Sequence, residues 1–174
     1  PEDSEIVLLS PLESKGYVDL TLSILKEYGV VAQETSQGYH IPGGQQYTPK
    51  NSQVEGDWSQ AAFFLCMAAL CPTGAPVEIQ GLKPQSLQGD KACVELFQRF
   101  GLDISWQGEN LVARNLHAGE PFGGLRGFEI DASQIPDMVP ALAVCGAFSQ
   151  GETRIVNAQR LRLKESDRLA AMSD

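Results

Sequence analysis

The stretch Glu78-Ile-Gln-Gly-Leu-Lys-Pro-Gln-Ser-Leu-Gln-Gly-Asp-Lys-Ala-Cys-Val-Glu-Leu-Phe-Gln-Arg-Phe-Gly101 decides how the rest of the chain is read. Val77 to Gln80 has the short pattern of a strand, Lys83-Pro84 marks a loop, and Asp90 to Phe100 places a helix that Gly101 closes. A matching series lies nearer the N-terminus. There Glu5 to Leu9 reads as a strand and Ser10-Pro11 as a loop, after which Val18, Leu22, Leu25 and Tyr28 recur at helical spacing up to Gly29. The two series are displaced by 73 residues at their strands (Glu5 to Glu78) and by 72 at their helix ends (Gly29 to Gly101).

The repeat extends outward from these segments. Val30 to Gln33 and Gly38 to Ile41 read as two strands joined by a polar turn; Leu102 to Trp106 and Asn110 to Arg114 pair likewise across Gly108. Apolar helices beginning near Ser59-Gln60 and Ser133-Gln134 match at an offset of 74. The first opens on Asp57 with Gln60 three residues on, a capping box, and its apolar run Ala61 to Cys71 predicts burial on most sides. The second starts near Ile135-Pro136, where proline suits a first helical turn, and extends to about Phe148. Phe128 to Ile130 and Thr153 to Val156 are further strands, the latter opening another copy some 75 residues after the second. About two and a third copies of one βαβαββ unit account for the chain, an α/β class with helices packed on sheets. The period is too long for ankyrin or tetratricopeptide arrays.

Composition narrows the function classes. The 174 residues are 43% hydrophobic and 20% charged, values of a chain that buries a core. A formal net charge of −9 argues against general binding to nucleic acid or an anionic membrane, so an anion must be held at a local site. The longest apolar run is too short to cross a bilayer, and the expected location is the cytoplasm. Cys66, Cys71, Cys93 and Cys145 lie in apolar surroundings without Cys-x-x-Cys spacing, as expected of reduced core thiols. His40 and His117, the only histidines, are far apart in sequence, so no metal site is expected; no other cofactor is expected either. The chain starts at Pro1 without a methionine and ends within a helical pattern, so an internal fragment of a longer protein is expected.

Against this acidic background, Arg160-Leu-Arg-Leu-Lys-Glu-Ser-Asp-Arg-Leu169 is a local concentration of cations. On a helix, Lys164, Glu165 and Arg168 would share one face at i,i+3 and i,i+4. Two cations flanking a carboxylate can hold an anionic substrate and leave one proton donor or acceptor beside it. A solvated helix face laced with internal ion pairs is the simpler reading of the ten residues alone.

Four segments occur in an order and spacing that resemble the 5-enolpyruvylshikimate-3-phosphate synthase family: Ser14-Lys-Gly-Tyr17, Glu55-Gly-Asp-Trp-Ser-Gln-Ala-Ala-Phe-Phe64, Ile135-Pro-Asp-Met138 and Leu163-Lys-Glu-Ser-Asp-Arg-Leu169. The resemblance spans essentially the whole chain. It implies the enolpyruvyl transferase fold, an inside-out α/β barrel with three βαβαββ units in each of two domains, incomplete here. Residues 1–54 would be part of the last unit of one domain, and residues 55–174 part of a second domain entered through a hinge near Glu55-Gly56-Asp57.

The implied reaction joins phosphoenolpyruvate to the 5-hydroxyl of shikimate 3-phosphate and releases phosphate without a metal, in chorismate and aromatic amino-acid biosynthesis. Both substrates are anions bound between the domains. By resemblance Asp137 binds the sugar-like ring and accepts the hydroxyl proton, and Glu165 is the second acid/base group. Arg168 holds the phosphoenolpyruvate carboxylate, for which a planar bidentate donor is suited. Lys164, Ser14 and Tyr17 contact shikimate 3-phosphate, and Arg160 stands where some members have an amide that touches the same substrate. Gly16 replaces the proline of many members, which predicts a looser loop at Ser14. Small-molecule substrates, a monomeric parent and no nucleic-acid or membrane partner complete the expectation. Several family residues that bind the anions lie outside these 174, so the chain by itself is expected to be inactive. The related transferase acting on UDP-N-acetylglucosamine and a non-catalytic α/β binding module are the competing readings.

Overall fold

Residues 2–173 are described by a computed structural model, in two units, Pro1–Val54 and Glu55–Asp174. In the first, strand β1 (Ser4–Val7) leads into helix α1 (Lys15–Glu27) and then the hairpin β2 (Gln33–Thr35) and β3 (Gly38–Ile41). β3 lies in the middle, antiparallel to both neighbours, with Tyr39 opposite Ile6 on one side and Glu34 on the other.

The second unit begins with α2 (Trp58–Leu70), strand β4 (Val77–Ile79) and a 3-10 turn, Gly89–Ala92, that runs into α3 (Cys93–Phe100). The hairpin β5 (Asp103–Gln107) and β6 (Asn110–Arg114) follows, and the sheet order β4-β6-β5 repeats that of the first unit. Strand β7 (Glu129–Asp131), a 3-10 turn Pro136–Met138, α4 (Val139–Ala147) and β8 (Arg154–Val156) then form a parallel crossover, β7 pairing with β8. A 3-10 segment Gln159–Leu163 and the short helix α5 (Arg168–Ser173) end the description.

Repetition extends to individual hydrogen bonds. At the end of α1, Gly29 N–H donates to Lys26 O and Val30 N–H to Leu25 O; at the end of α3, Gly101 N–H donates to Gln98 O and Leu102 N–H to Phe97 O. These are the paired reverse bonds of a Schellman cap, and they need a left-handed residue after the helix. Gly29 and Gly101 supply it, at φ of 86° and 122°. In the first unit the next strand is Gln33–Thr35 and not Val30–Gln33. Val30 N–H is used by the helix end, and Val31 N–H donates to Gln45 Oε1 at 2.7 Å, so neither amide is free for a ladder.

The main core lies in the second unit, where α2 packs on α3, α4 and the inner face of the β4-β6-β5 sheet. Trp58, Ala62 and Leu65 of α2 meet Phe97 and Phe100 of α3, Leu142 and Cys145 of α4, and Leu111 and Ala113 of β6, all fully buried. Asp57 caps α2, accepting from the Ser59 and Gln60 amides, while Gln88 Oε1 takes the amide of Trp58. Small residues at Ala61, Ala68 and Ala141 let the helices approach closely.

Burial of α2 on most sides is only partly realised. Phe63, Phe64 and Met67 are about half exposed, because no described element of their own unit covers that face. Cys71 likewise differs from a core thiol. It sits past the end of α2, half-buried, and its Sγ is 3.2 Å from Thr73 Oγ1, whereas Cys66, Cys93 and Cys145 are buried. No helix of the described residues is long and apolar enough to cross a membrane.

Candidate active site

Parallel strands β7 and β8 direct their carboxyl ends the same way, and the segments leaving those ends carry the charged residues singled out above. Ligand sites of open α/β sheets form at this edge. From β7 the chain turns through Ala132 to Ile135 into the 3-10 turn Pro136–Met138. Pro136 fixes the backbone at the start of that turn, and both Pro136 and Met138 are buried. Asp137 between them is left facing outward, its side chain 26% exposed.

From β8 the chain passes Asn157 and enters the 3-10 segment Gln159–Leu163, which carries Arg160. Lys164 then adopts an extended conformation, φ −80° and ψ −168°. The helical face expected for Lys164, Glu165 and Arg168 is therefore replaced by a bend followed by a new helix. Its cause is Asp167, whose Oδ1 accepts the Ala170 amide at 3.1 Å as a helix cap while its Oδ2 accepts from Arg162 Nη1 at 2.7 Å. Beneath both segments lies a small apolar pad, separate from the main core, in which Ala132, Val139, Ala158 and Leu161 are buried against Ile155 and Leu169. Val139 anchors the Asp137 side, Leu161 the Lys164 side and Leu169 the Arg168 side.

The pad brings four of the candidate residues together. Asp137 Oδ1 receives Lys164 Nζ at 3.0 Å and Arg168 Nη1 at 2.8 Å. Arg168 Nη2 in turn donates to Glu165 Oε2 at 2.7 Å and Oε1 at 3.0 Å. Two carboxylates and two cations thus alternate and cancel in charge. An incoming anion must take a cation from a carboxylate, and the Arg168–Glu165 pair, open on its carboxylate side, is the one held weakly enough to yield, whereas the two pairs on Asp137 are largely buried. Glu165 is the most open of the four, its side chain 77% exposed.

The Glu165 carboxyl is held below its ordinary value of 4.5, first by its own backbone amide and then by hydrogen bonding and charge from Arg168. A carboxylate lowered in the folded chain contributes to stability above 4.5, and the contribution is lost as pH falls through the lowered value. In a carboxyl-carbon NMR titration, Glu165 should have a midpoint below 4.5 that moves up in Arg168→Ala. A midpoint indifferent to that change would mean that the pair is not formed in solution. A ligand carboxylate seated on Arg168 should act as the substitution does.

Ser14 and Tyr17 belong to the first unit. Ser14 precedes α1 in a left-handed conformation, φ 53°, and its carbonyl accepts the Tyr17 amide at 3.0 Å. The turn places both residues on one end of α1, with Lys15 paired to Asp19. Sequence reasoning missed Asp131, Asn157 and the Arg162–Asp167 pair. Asp131-Ala-Ser133 is an Asx-turn pattern that could have drawn attention to the first. No cluster of three or more histidine, cysteine or carboxylate side chains suited to a metal occurs among the described residues.

The chain is similar to known proteins along nearly its whole length. The family model for EPSP synthase (3-phosphoshikimate 1-carboxyvinyltransferase) matches residues 2–174. The 3-phosphoshikimate 1-carboxyvinyltransferase of Clostridium perfringens is 44% identical over 172 residues, covering 98% of this chain and 38% of that protein. The protein of that name from Methanocaldococcus jannaschii is 38% identical over 170 residues with the same coverage. This chain therefore spans well under half the length of these relatives. Among solved structures, EPSP synthase of Acinetobacter baumannii superposes over 99% of this chain and 38% of its own, with a TM-score of 0.71 at 23% identity. The enolpyruvyl transferase NikO of Streptomyces tendae covers 83% of this chain and 33% of its own, with a TM-score of 0.59 at 22% identity. The α/β fold is thus that of the enolpyruvyl transferases, and the match across residues 2–174 shows that the chain belongs to the EPSP synthase family.

Proposed function

We propose that these residues supply part of the active site of an enolpyruvyl transferase that joins phosphoenolpyruvate to the 5-hydroxyl of shikimate 3-phosphate and releases phosphate. The observation that carries the reading is the alternation of Asp137, Lys164, Arg168 and Glu165 at the carboxyl ends of β7 and β8. Two anions need two cations, and the reaction needs two groups that move protons. Asp137 takes the proton of the attacking hydroxyl as the new C–O bond forms. Glu165, freed when the phosphoenolpyruvate carboxylate occupies Arg168, is the second acid/base group beside the methylene carbon. Lys164 holds shikimate 3-phosphate. Contacts of Ser14, Tyr17 and Arg160 to that substrate are carried by sequence resemblance alone.

In this reading residues 1–54 close one domain, residues 55–174 open the next, and the whole protein is a cytoplasmic monomer. The free thiols support a reducing compartment. The test is a chimera in which residues 2–173 replace the aligned segment of the Clostridium perfringens relative. It should release phosphate from phosphoenolpyruvate only when shikimate 3-phosphate is present, whereas the 174 residues by themselves release none. A folded chimera that is inert, or that accepts UDP-N-acetylglucosamine instead, would overturn the assignment.

A further inference from the structure

Asp131 ends β7, opposite Val156 at the end of β8, and it bonds to both departing segments. Its Oδ1 accepts the Ser133 amide at 2.8 Å, on the segment leading to Asp137. Its Oδ2 accepts the side-chain amide of Asn157 at 3.0 Å, on the segment leading to Lys164. Asn157 has φ 57°, a left-handed conformation that asparagine tolerates better than most residues and that turns the chain out of β8 toward Lys164. The Asp131 carboxyl is held below its usual range, first by the Ser133 amide, then by the Ser133 hydroxyl and Asn157. Strand pairing and the apolar pad hold the two segments near each other. At the point where both leave the sheet, the Ala132 amide donates to Val156 O at 2.9 Å, and Asp131 adds the side-chain tie that reaches past the strand ends to Ser133 on one segment and Asn157 on the other.

We propose that Asp131 is a positioning residue that ties the segment of Asp137 to the segment of Lys164 and Arg168, and so keeps the carboxylate and the two cations in register. The functional meaning rests on the transferase reading, but the geometric claim does not. It separates a role in bonding from a role in charge. Asp131→Asn should preserve the tie, because the Asn157 amide can rotate to present its oxygen to the new side-chain NH2. Asp131→Ala removes the tie. Asn157→Gly removes it from the other side without straining the backbone, since glycine accepts positive φ.

The readout is the guanidinium NMR signal of Arg168 in the full 174-residue chain. With Nη1 on Asp137 and Nη2 on Glu165, the two ends should give separate signals through hindered rotation. They should remain separate in Asp131→Asn and average in both Asp131→Ala and Asn157→Gly. In the chimera kcat/KM should fall about tenfold in the latter two, the worth of one charge-assisted hydrogen bond, and be largely restored in Asp131→Asn. Unchanged Arg168 signals in Asn157→Gly would overturn the proposal even if Asp131→Ala failed to fold. Averaged signals beside an inert parent chimera would uphold the tie and count against the transferase reading.

Discussion

Asp137→Asn in the chimera is expected to lower kcat by about 10²- to 10⁴-fold, the range for removing a general acid or base. The substitution is nearly isosteric, and the remaining carboxamide oxygen can still accept from Lys164 or Arg168, which lie 3.0 and 2.8 Å from Asp137 Oδ1. Its Pro136 and Met138 neighbours stay buried, so the 3-10 turn should keep its shape and the thermal midpoint should move little. What is lost is the ability to take a proton. A group needed only in the transition state lowers kcat and kcat/KM together, whereas a group that merely binds substrate raises KM. Glu165→Gln should give the same signature, with even less effect on stability because its side chain is so exposed. A binding module without catalysis predicts the opposite: ligand affinity unchanged by either substitution. Turnover of Asp137→Asn within tenfold of the parent chimera would therefore remove Asp137 from the chemistry and leave its ion pairs as structural.

Much of this arrangement is legible in the residues themselves, for physical reasons that differ from part to part. Gly29 and Gly101 were readable because the Schellman cap demands a left-handed residue at one place, and an aromatic-glycine pair occurs there in both copies. Strand β2 was misplaced because Val30 and Val31 have strand-forming side chains, while their amides are already used by the cap and by Gln45. The apolar helix α2 was expected to be enclosed; its exposed Phe63, Phe64 and Met67 cannot be distinguished by composition from buried Ala62 and Leu65. In the site, Glu165 and Arg168 meet because the bend between them, like a helical turn, brings residues three apart together. The partnership with Asp137 does not. It bridges 27 residues to Lys164 and 31 to Arg168, and a parallel crossover, not local spacing, closes that distance. Asp137 was singled out by resemblance to a family, and Asp131, whose bonds are the hinge of the crossover's exit, was overlooked.

The crossover can close that distance only while the core under it holds, and Phe100→Ala should show how much depends on one ring. Phe100 is fully buried at the end of α3, 4.7 Å between ring centroids from Phe128 and 6.1 Å from Phe97. Its carbonyl also receives the Arg126 amide, at 3.0 Å, so the segment entering β7 is fastened to the same residue. Removing a buried phenylalanine leaves a cavity and typically costs about 3–5 kcal/mol. A domain of this size is stable by about 5–15 kcal/mol, so about a fifth of the total or more is lost. Both tryptophans, Trp58 and Trp106, lie in the second unit with their rings 6.3 Å apart, and their fluorescence reports that unit's unfolding alone. With a urea slope of about 1–3 kcal/mol per molar, the midpoint should fall by about 2 M. Phe63→Ala, which removes the same ring from the uncovered face of α2, should move it by less than about 0.5 M, because little apolar area leaves the interior. Equal shifts in the two variants would mean that Phe63 is covered in solution and that the described core is not where the unit's stability resides. A large shift confined to Phe100→Ala, accompanied by averaging of the Arg168 guanidinium signals well below the unfolding midpoint, would show that the site loosens before the fold is lost. That order is expected, because the apolar pad beneath Asp137 and Lys164 is small and is joined to the main core through Ile155, which packs against both.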